Sequence, residues 1–306
     1  MTEALFALED LHENERTVDT RTYEKDWCWQ YQIRMNNTDT DLAEAGFTRQ
    51  YVDALSVVDF TFEPLFSRVQ RRQATNFIRR HEWLGKMTLY TTHYFGAYHR
   101  NRLAGVLCFA MPNAFSKLLG EKTKDMERLI ARGACISWSP KNLGSAFLMW
   151  AIKWMVDNTR YRLFTAYSDP LAKELGTIYQ ACNFYYLGKN SGRKLAYINP
   201  RTSKIVSDRF FRARSAYRQY AKDAGIEWER EWVSGSTINW DSMPAHVQKE
   251  LRQRSRDAQA NAESVGVVPK HKYALVLGRD KRETKQLKKI FESMNATHPY
   301  PKERGQ

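Results

Sequence analysis

Three places in this sequence carry side chains whose types and spacing could do chemistry. The first is Lys141-x-x-Gly144-x-Ala146, within CISWSPKNLGSAFLMWAIKWM, which reads as strand, short loop and helix. Small residues at such a junction let a ligand approach the backbone. The free N–H groups and positive dipole end of the helix then face an anion. Asn142 and Ser145 complete this loop, and a tight turn whose small residues serve only packing would read the same way. The second place is Asp169, at the carboxyl end of a strand, where open α/β sheets place their ligands. Its carboxylate could bind an amine and take its proton. It could equally cap the helix that follows, with Pro170 at the first helical position. The third is Glu82, beside Trp83 and Leu84. Burial there would raise its pKa and suit acid–base work, and a surface ion pair with Arg79 or Arg80 is the plain alternative. His81, His93 and His99 could join Glu82 or Asp169 around a metal, but their spacing matches no local metal motif, so no metal site is assigned.

These residues need a scaffold. Strand patterns run over Thr88–Ala97, Leu103–Met111, Gly133–Trp138, Arg162–Ser168, Phe184–Gly188 and Leu195–Asn199. The polar tetrapeptide HRNR joins the first two into an antiparallel hairpin. Leu143–Asn158 has helical apolar spacing, and Leu171–Cys182 follows the Asp169-Pro170 start signal as a second helix. The order is hairpin, strand, helix, strand, helix, strand, which makes a mixed central sheet flanked by helices. Residues 1–60 read as an irregular acidic amino-terminal arm followed by an aromatic stretch, Trp27–Tyr31. Residues 61–200 form the α/β unit. Residues 201–306 form a basic, mostly helical appendage, with helices over Asp208–Asp223, Met243–Ala260 and Lys281–Met294 and a short strand at Tyr273–Leu277.

The charge is as uneven as the pattern. Residues 1–60 hold 5 basic and 13 acidic side chains, 61–200 hold 21 and 8, and 201–306 hold 22 and 13. A basic body behind an acidic segment points to a polyanionic partner, nucleic acid. Arg and Lys of 201–220 and 281–289 would hold phosphates, which position DNA without reading its sequence. With 42% hydrophobic residues in 306, a real core is affordable and a wholly disordered chain is excluded. No apolar run reaches the length of a membrane span. The four cysteines, Cys28, Cys108, Cys135 and Cys182, form no CxxC pair, which excludes a cysteine-based zinc module and argues for a reducing compartment. The amino terminus lacks a signal-peptide shape. The expected location is the cytoplasm of a bacterial host.

The Lys141–Ala146 loop resembles the pyrophosphate loop of GNAT-type N-acetyltransferases, [Gln/Arg]-x-x-Gly-x-[Gly/Ala], with Lys141 in place of Gln or Arg. The order of elements is similar too. In that superfamily the second helix often reads Tyr-x-x-x-Gly-Phe, and its Tyr can protonate the leaving CoA thiolate. Tyr179 matches the Tyr, and Asn183-Phe184 the terminal pair. Asn tolerates the left-handed conformation that Gly would supply there. A core aromatic with a satisfied hydroxyl is the other reading of Tyr179.

A closer resemblance lies in TAYSDPLAKELGTIYQACNFYYLG. It is similar to the Mom-type adenine-modification proteins of bacteriophages, through Tyr167, Asp169, Gly176, Tyr179, Gln180, Ala181, Asn183, Phe184, Tyr186 and Gly188. Upstream, HEWLGKM resembles that family's aromatic-x-Gly-Lys segment, here Trp83, Gly85 and Lys86. The family shows His-Tyr before its Gly-Lys. This chain has Glu82-Trp83 there, which makes Glu82 the candidate in place of His81. The resemblance covers roughly 75–200. It implies a GNAT-like fold and a reaction placing a methylcarbamoyl group on the N6 amine of adenine in DNA, which shields phage DNA from restriction. It also implies catalytic roles for Asp169, Tyr179, Glu82 and Tyr167, and substrate contacts from Trp83, Gly85, Lys86, Gln180 and Asn183. The implied acyl donor is acetyl-CoA or a related molecule, and iron enters as a cofactor by resemblance only.

Such a base would be flipped out or taken single-stranded, and Trp83, Tyr94, Phe95 and Tyr185 could stack on it. Two other functions fit the residues. One is an N-acetyltransferase acting on protein, tRNA or a hypermodified pyrimidine. The other is a non-enzymatic DNA-binding protein on a degenerate acyltransferase scaffold. Lys141 favours the last, and retention of Asp169 with Tyr179 opposes it.

Overall fold

Seven strands make the central sheet: β1 (Thr61–Pro64), β2 (Thr91–His99), β3 (Arg102–Ala110), β4 (Glu127–Cys135), β5 (Leu163–Ser168), β6 (Tyr185–Ser191) and β12 (Lys270–Val276), in the order β1, β2, β3, β4, β5, β12, β6. The computed structural model describes residues 27–88, 90–112, 114–191, 195–199, 205–234, 237–266 and 268–302. It divides into two units, Met1–Gly188 with His271–Gln306, and Lys189–Lys270.

The hairpin is as expected. Arg100 and Asn101 take φ of 47° and 62° between the paired His99 and Arg102, the twist-matched two-residue turn for which such backbone angles are needed. β4 begins six residues before the predicted Gly133. Its first two residues, Glu127 and Arg128, are charged yet buried, which hid the strand from a hydropathy reading. Glu127 is satisfied there, accepting from Thr165 Oγ1 at 2.8 Å and the Ser116 N–H at 2.6 Å.

Helices cover both faces. α3 (Arg68–His81) starts with a Ser67/Gln70 capping box and packs Ala74, Phe77 and Ile78 on Val106, Cys108 and Ala134. Its arginine-rich sequence had given no expectation of a helix. α4 (Leu143–Asn158) matches the predicted span and packs Phe147, Leu148, Ala151, Ile152 and Met155 against Phe95, Phe109, Phe164 and Tyr273. α8 (Lys281–Met294) also matches its predicted span and sets Leu287 and Phe291 on Leu163, Ala274 and Val276.

Three expectations are corrected. The described part of the arm is not irregular: α1 (Trp29–Ala45) and α2 (Arg49–Asp53) form there, and residues 1–26 lie outside the described residues. The predicted helix Leu171–Cys182 is broken into a 3₁₀ turn, Pro170–Ala172, and a short α5 (Thr177–Ala181), because Lys173 and Gly176 both take the left-handed conformation. Finally, 201–306 is not one appendage. β12 returns to the central sheet between β5 and β6, and α8 follows it.

The second unit has its own core. α6 (Arg214–Asp223) and α7 (Ala245–Ala260) enclose Tyr217, Trp232, Met243, Val247 and Leu251, with Trp228 and Trp240 alongside. Its strands are β7 (Leu195–Ile198), β8 (Ile205–Val206), β9 (Val233–Ser234), β10 (Thr237–Ile238) and β11 (Ser264–Gly266), arranged as a β11, β7, β8 sheet and a β9, β10 pair. The predicted sixth strand is therefore β7 of this unit. Among the described residues no helix is long and apolar enough to cross a membrane.

Candidate active site

β4 and β5 run parallel, but only Glu127–Leu129 pairs with Leu163–Thr165. Beyond that the ladders separate. β4 continues to Cys135 against β3, and β5 continues to Ser168 against β12. Backbone groups between two parting strands have no ladder partner to offer one another, so a wedge opens toward the carboxyl end of β5. Asp169 follows β5 directly.

Asp169 Oδ1 accepts the Leu171 N–H at 3.0 Å, so the capping role is real. Its own N–H donates to Glu174 Oε2 at 3.4 Å. Glu174 also accepts a hydrogen bond from the Trp83 side chain, and it lies within electrostatic reach of Glu82 and Asp169. Burial, with those two carboxylates, raises its pKa to about 7 against the two hydrogen bonds that favour its charged form. Sequence reasoning missed Glu174. Its signal was an acidic residue five positions after Asp169, between apolar Leu171-Ala172 and Leu175.

Glu82 lies within electrostatic reach of Glu174 and Tyr179. It caps the carboxyl end of α3 and is buried. Its Oε2 accepts the Gly85 N–H at 3.0 Å, and its Oε1 lies 3.7 Å from Arg132 Nε on β4. The same Nε donates to the Lys86 carbonyl, so one guanidinium holds the whole 82–86 turn. Gly85 has φ +61°. α1 fixes this turn again: Gln30 donates to the His81 carbonyl at 2.7 Å and accepts the Trp83 N–H at 3.0 Å, while Trp29 packs edge-on to Trp83 at 5.2 Å. Arg132, Gln30 and Trp29 were also missed, since each acts through a contact distant in sequence.

Tyr179 stands on α5 with its ring 5.4 Å from Phe184 and 5.3 Å from Tyr273. Burial holds its phenol protonated far above the ordinary tyrosine range, with Glu174 and Glu82 adding to the effect. Gly176 places that helix. It has φ +68°, and a Cβ there would lie 2.5 Å from Tyr273 Cε2, so only glycine fits.

The structure thus gathers Asp169, Tyr179, Glu82 and Trp83, and adds Glu174. Other candidates fall elsewhere. Tyr167 shares a face of β5 with Thr165, toward Glu127 and Lys272, whereas Phe164 and Ala166 face α4. Strand alternation therefore turns it away from Tyr179. Gln180 donates to the Leu175 carbonyl at 2.9 Å and braces the turn. Asn183 takes φ +55°, the expected left-handed cap. Phe95 is fully buried in the core and Tyr185 stacks on Phe291 at 4.7 Å, so neither is placed to stack on a base. His81 faces Asp41 at 3.6 Å, and His93 meets Thr92 and Tyr161. Among the described residues no three His, Cys, Asp or Glu side chains are grouped to hold a metal, so these residues do not fit an iron centre.

The Lys141–Ala146 loop follows β4 at the wedge. Asn142 takes φ +66° and its carbonyl accepts the Ala146 N–H at 3.0 Å. Lys141 and Asn142 are exposed. A Cβ on Gly144 would meet Ile178 at 3.3 Å, so the small residue also lets α5 pack close. Leu143, Gly144 and Ser145 form the first turn of α4, whose N–H groups suit an anion.

Comparison with known proteins gives one family. No curated protein matches the chain. Among solved structures, a GNAT family acetyltransferase from Elizabethkingia anophelis with acetyl-CoA bound is 12% identical, with 72% of this chain and 99% of that chain covered and a TM-score of 0.33. An IAA acetyltransferase from Bacillus cereus is 9% identical, with 71% and 99% covered and a TM-score of 0.35. The model of the Mom protein family matches residues 63–302, well beyond the 75–200 expected from motifs. It takes in the second unit, β12 and α8. The chain belongs to the Mom protein family.

Proposed function

We propose that this protein is an acyltransferase-like enzyme that places a methylcarbamoyl-type group on the N6 amine of adenine in DNA. The observation that carries the reading is the Asp169 N–H bonded to the Glu174 carboxylate at the end of β5, with Glu82 and Tyr179 within electrostatic reach of Glu174. The family match supports a DNA-modifying role in general.

The exocyclic amine is a poor nucleophile because its lone pair is delocalised into the ring. It needs an oriented electrophile and a group to take its proton. Asp169, tied down by its cap, orients the amine. Glu174, titrating near neutrality, accepts the proton as nitrogen bonds to the donor's carbonyl carbon. With the methylcarbamoyl group carried on a thiol as a thiocarbamate, the carbon–sulfur bond then breaks and the thiolate takes the Tyr179 proton. Glu174 returns its proton to the phenolate, and the net movement is one proton from amine to thiol. The first turn of α4, with Lys141 at its edge, would hold the donor's diphosphate.

The test is restriction of plasmid DNA from bacteria expressing the chain. Resistance to several enzymes whose sites contain adenine is expected, and complete sensitivity alongside folded protein contradicts the reading.

A further inference from the structure

The carboxyl end of β12 lies at the other end of the sheet from Asp169. Val276 pairs with Leu163 there, while His271 pairs with Ser168 beside the candidate site. A strand of this length separates the two ends by about 17 Å. At the far end a groove of about 820 Å³ opens between α4 and α8, floored by Val156 and Leu277. Its walls carry Lys153, Arg279, Lys281, Lys285, Lys288 and Lys289.

Two carboxylates share the groove, and both are engaged. Asp280 Oδ1 caps α8 by accepting the Glu283 N–H at 2.7 Å, and Glu292 Oε1 accepts the Tyr185 hydroxyl at 2.5 Å. Lys153 has a surface partner in Asp157 at 3.1 Å. Among the described residues, Lys281, Lys285, Lys288 and Lys289 have no ion-pair partner within 4.0 Å and are exposed. Their spacing follows from the helix. Leu287 and Phe291 commit one face to the core, which turns positions 281, 285 and 288 outward in one row. That row spans about 10 Å at 1.5 Å per residue. One strand of B-DNA offers a phosphate about every 3.4 Å of axial rise, and because the strand also winds around the axis its successive phosphates lie farther apart than that, so the row reaches about two.

We propose that this groove is a docking surface for the phosphodiester backbone of DNA, separate from the reacting base and built by the catalytic unit itself. The choice of DNA as the polyanion rests on the function proposed above; the charge and shape of the groove do not. Such contacts hold the duplex in register while carrying no sequence information.

The experiment compares binding of the full chain to a fluorescent duplex of arbitrary sequence over a range of salt. Lys285→Gln with Lys288→Gln should reduce the magnitude of the log–log salt slope by about 1 to 2 and weaken binding at about 0.1 M salt by about tenfold. The matching Arg doublet should restore both. Arg68→Gln with Arg72→Gln, exposed on α3, removes the same charge and should have the smaller effect. Thermal melting checks that each variant is folded. An unchanged slope in the lysine doublet, an equal loss in the α3 doublet, or no DNA binding by the parent chain overturns the groove. Adenine modification is scored in parallel. A parent chain that binds through the groove and modifies nothing counts against the proposed reaction alone, and an active lysine doublet with the parent slope counts against the groove alone.

Discussion

The N–H of Asp169 donates to the Glu174 carboxylate across 3.4 Å. The motif's own aspartate thereby positions a second acid that the motif does not mark. Asp169 is held by its cap to Leu171, and Glu174 by Asp169 and Trp83. Two carboxyl groups in different environments can divide orientation and proton transfer between them.

Glu174→Gln removes the titrating group and keeps an oxygen for the Asp169 N–H. Modification by the parent should rise with pH through about 7 as the carboxyl ionises. The variant should lose about 10²- to 10⁴-fold in rate and lose that limb of the profile. Rate against pH, measured on purified enzyme, decides this.

The same group makes a stability prediction of definite sign. Its folded pKa, about 7, lies above the ordinary 4.5. Its contribution to stability is fully present below about pH 4.5 and is lost as pH rises through about 7. Relative to Glu174→Gln, the parent should lose on the order of 3 kcal/mol over that window. Denaturant melts at pH 4.5 and pH 8 measure it, and parallel curves for the two proteins would show that Glu174 is not buried in this way.

Asp169 has two roles that substitution separates. Asp169→Asn keeps an oxygen for the Leu171 N–H and should keep the parent stability while losing modification. Asp169→Ala should also lose about 1 kcal/mol with the cap. Full activity in Asp169→Asn would leave the residue only its cap.

Gly176→Ala combines a strained φ with a Cβ driven into Tyr273. It should destabilise by about 2–5 kcal/mol and displace α5, which carries Tyr179. Thermal denaturation of the purified variant reads the effect directly.

Much of this site was legible in sequence because its parts are local. Asp169 with its cap, the left-handed Asn183, the HRNR turn and the span of α4 each depend on neighbours a few residues away. What was hidden depends on distant contacts. Glu174 acquires its character from Trp83 and Glu82, and Arg132 from the 82–86 turn. β12 was legible as a strand, but its place beside β5 was not, since nothing in 270–276 names its partner. That place also changes the expectation for truncation. A chain ending at 270 loses the strand between β5 and β6 and should fail to fold, where a detachable appendage would leave a stable unit behind.

The central claim is that the carboxylate cluster at the wedge modifies adenine, and nucleoside mass spectrometry tests it most directly. Plasmid DNA from bacteria expressing the parent chain should contain deoxyadenosine with added mass. DNA from cells expressing folded Glu174→Gln or Tyr179→Phe should contain little or none. Unmodified deoxyadenosine with the parent, or parent levels of modification in both variants, would contradict the account.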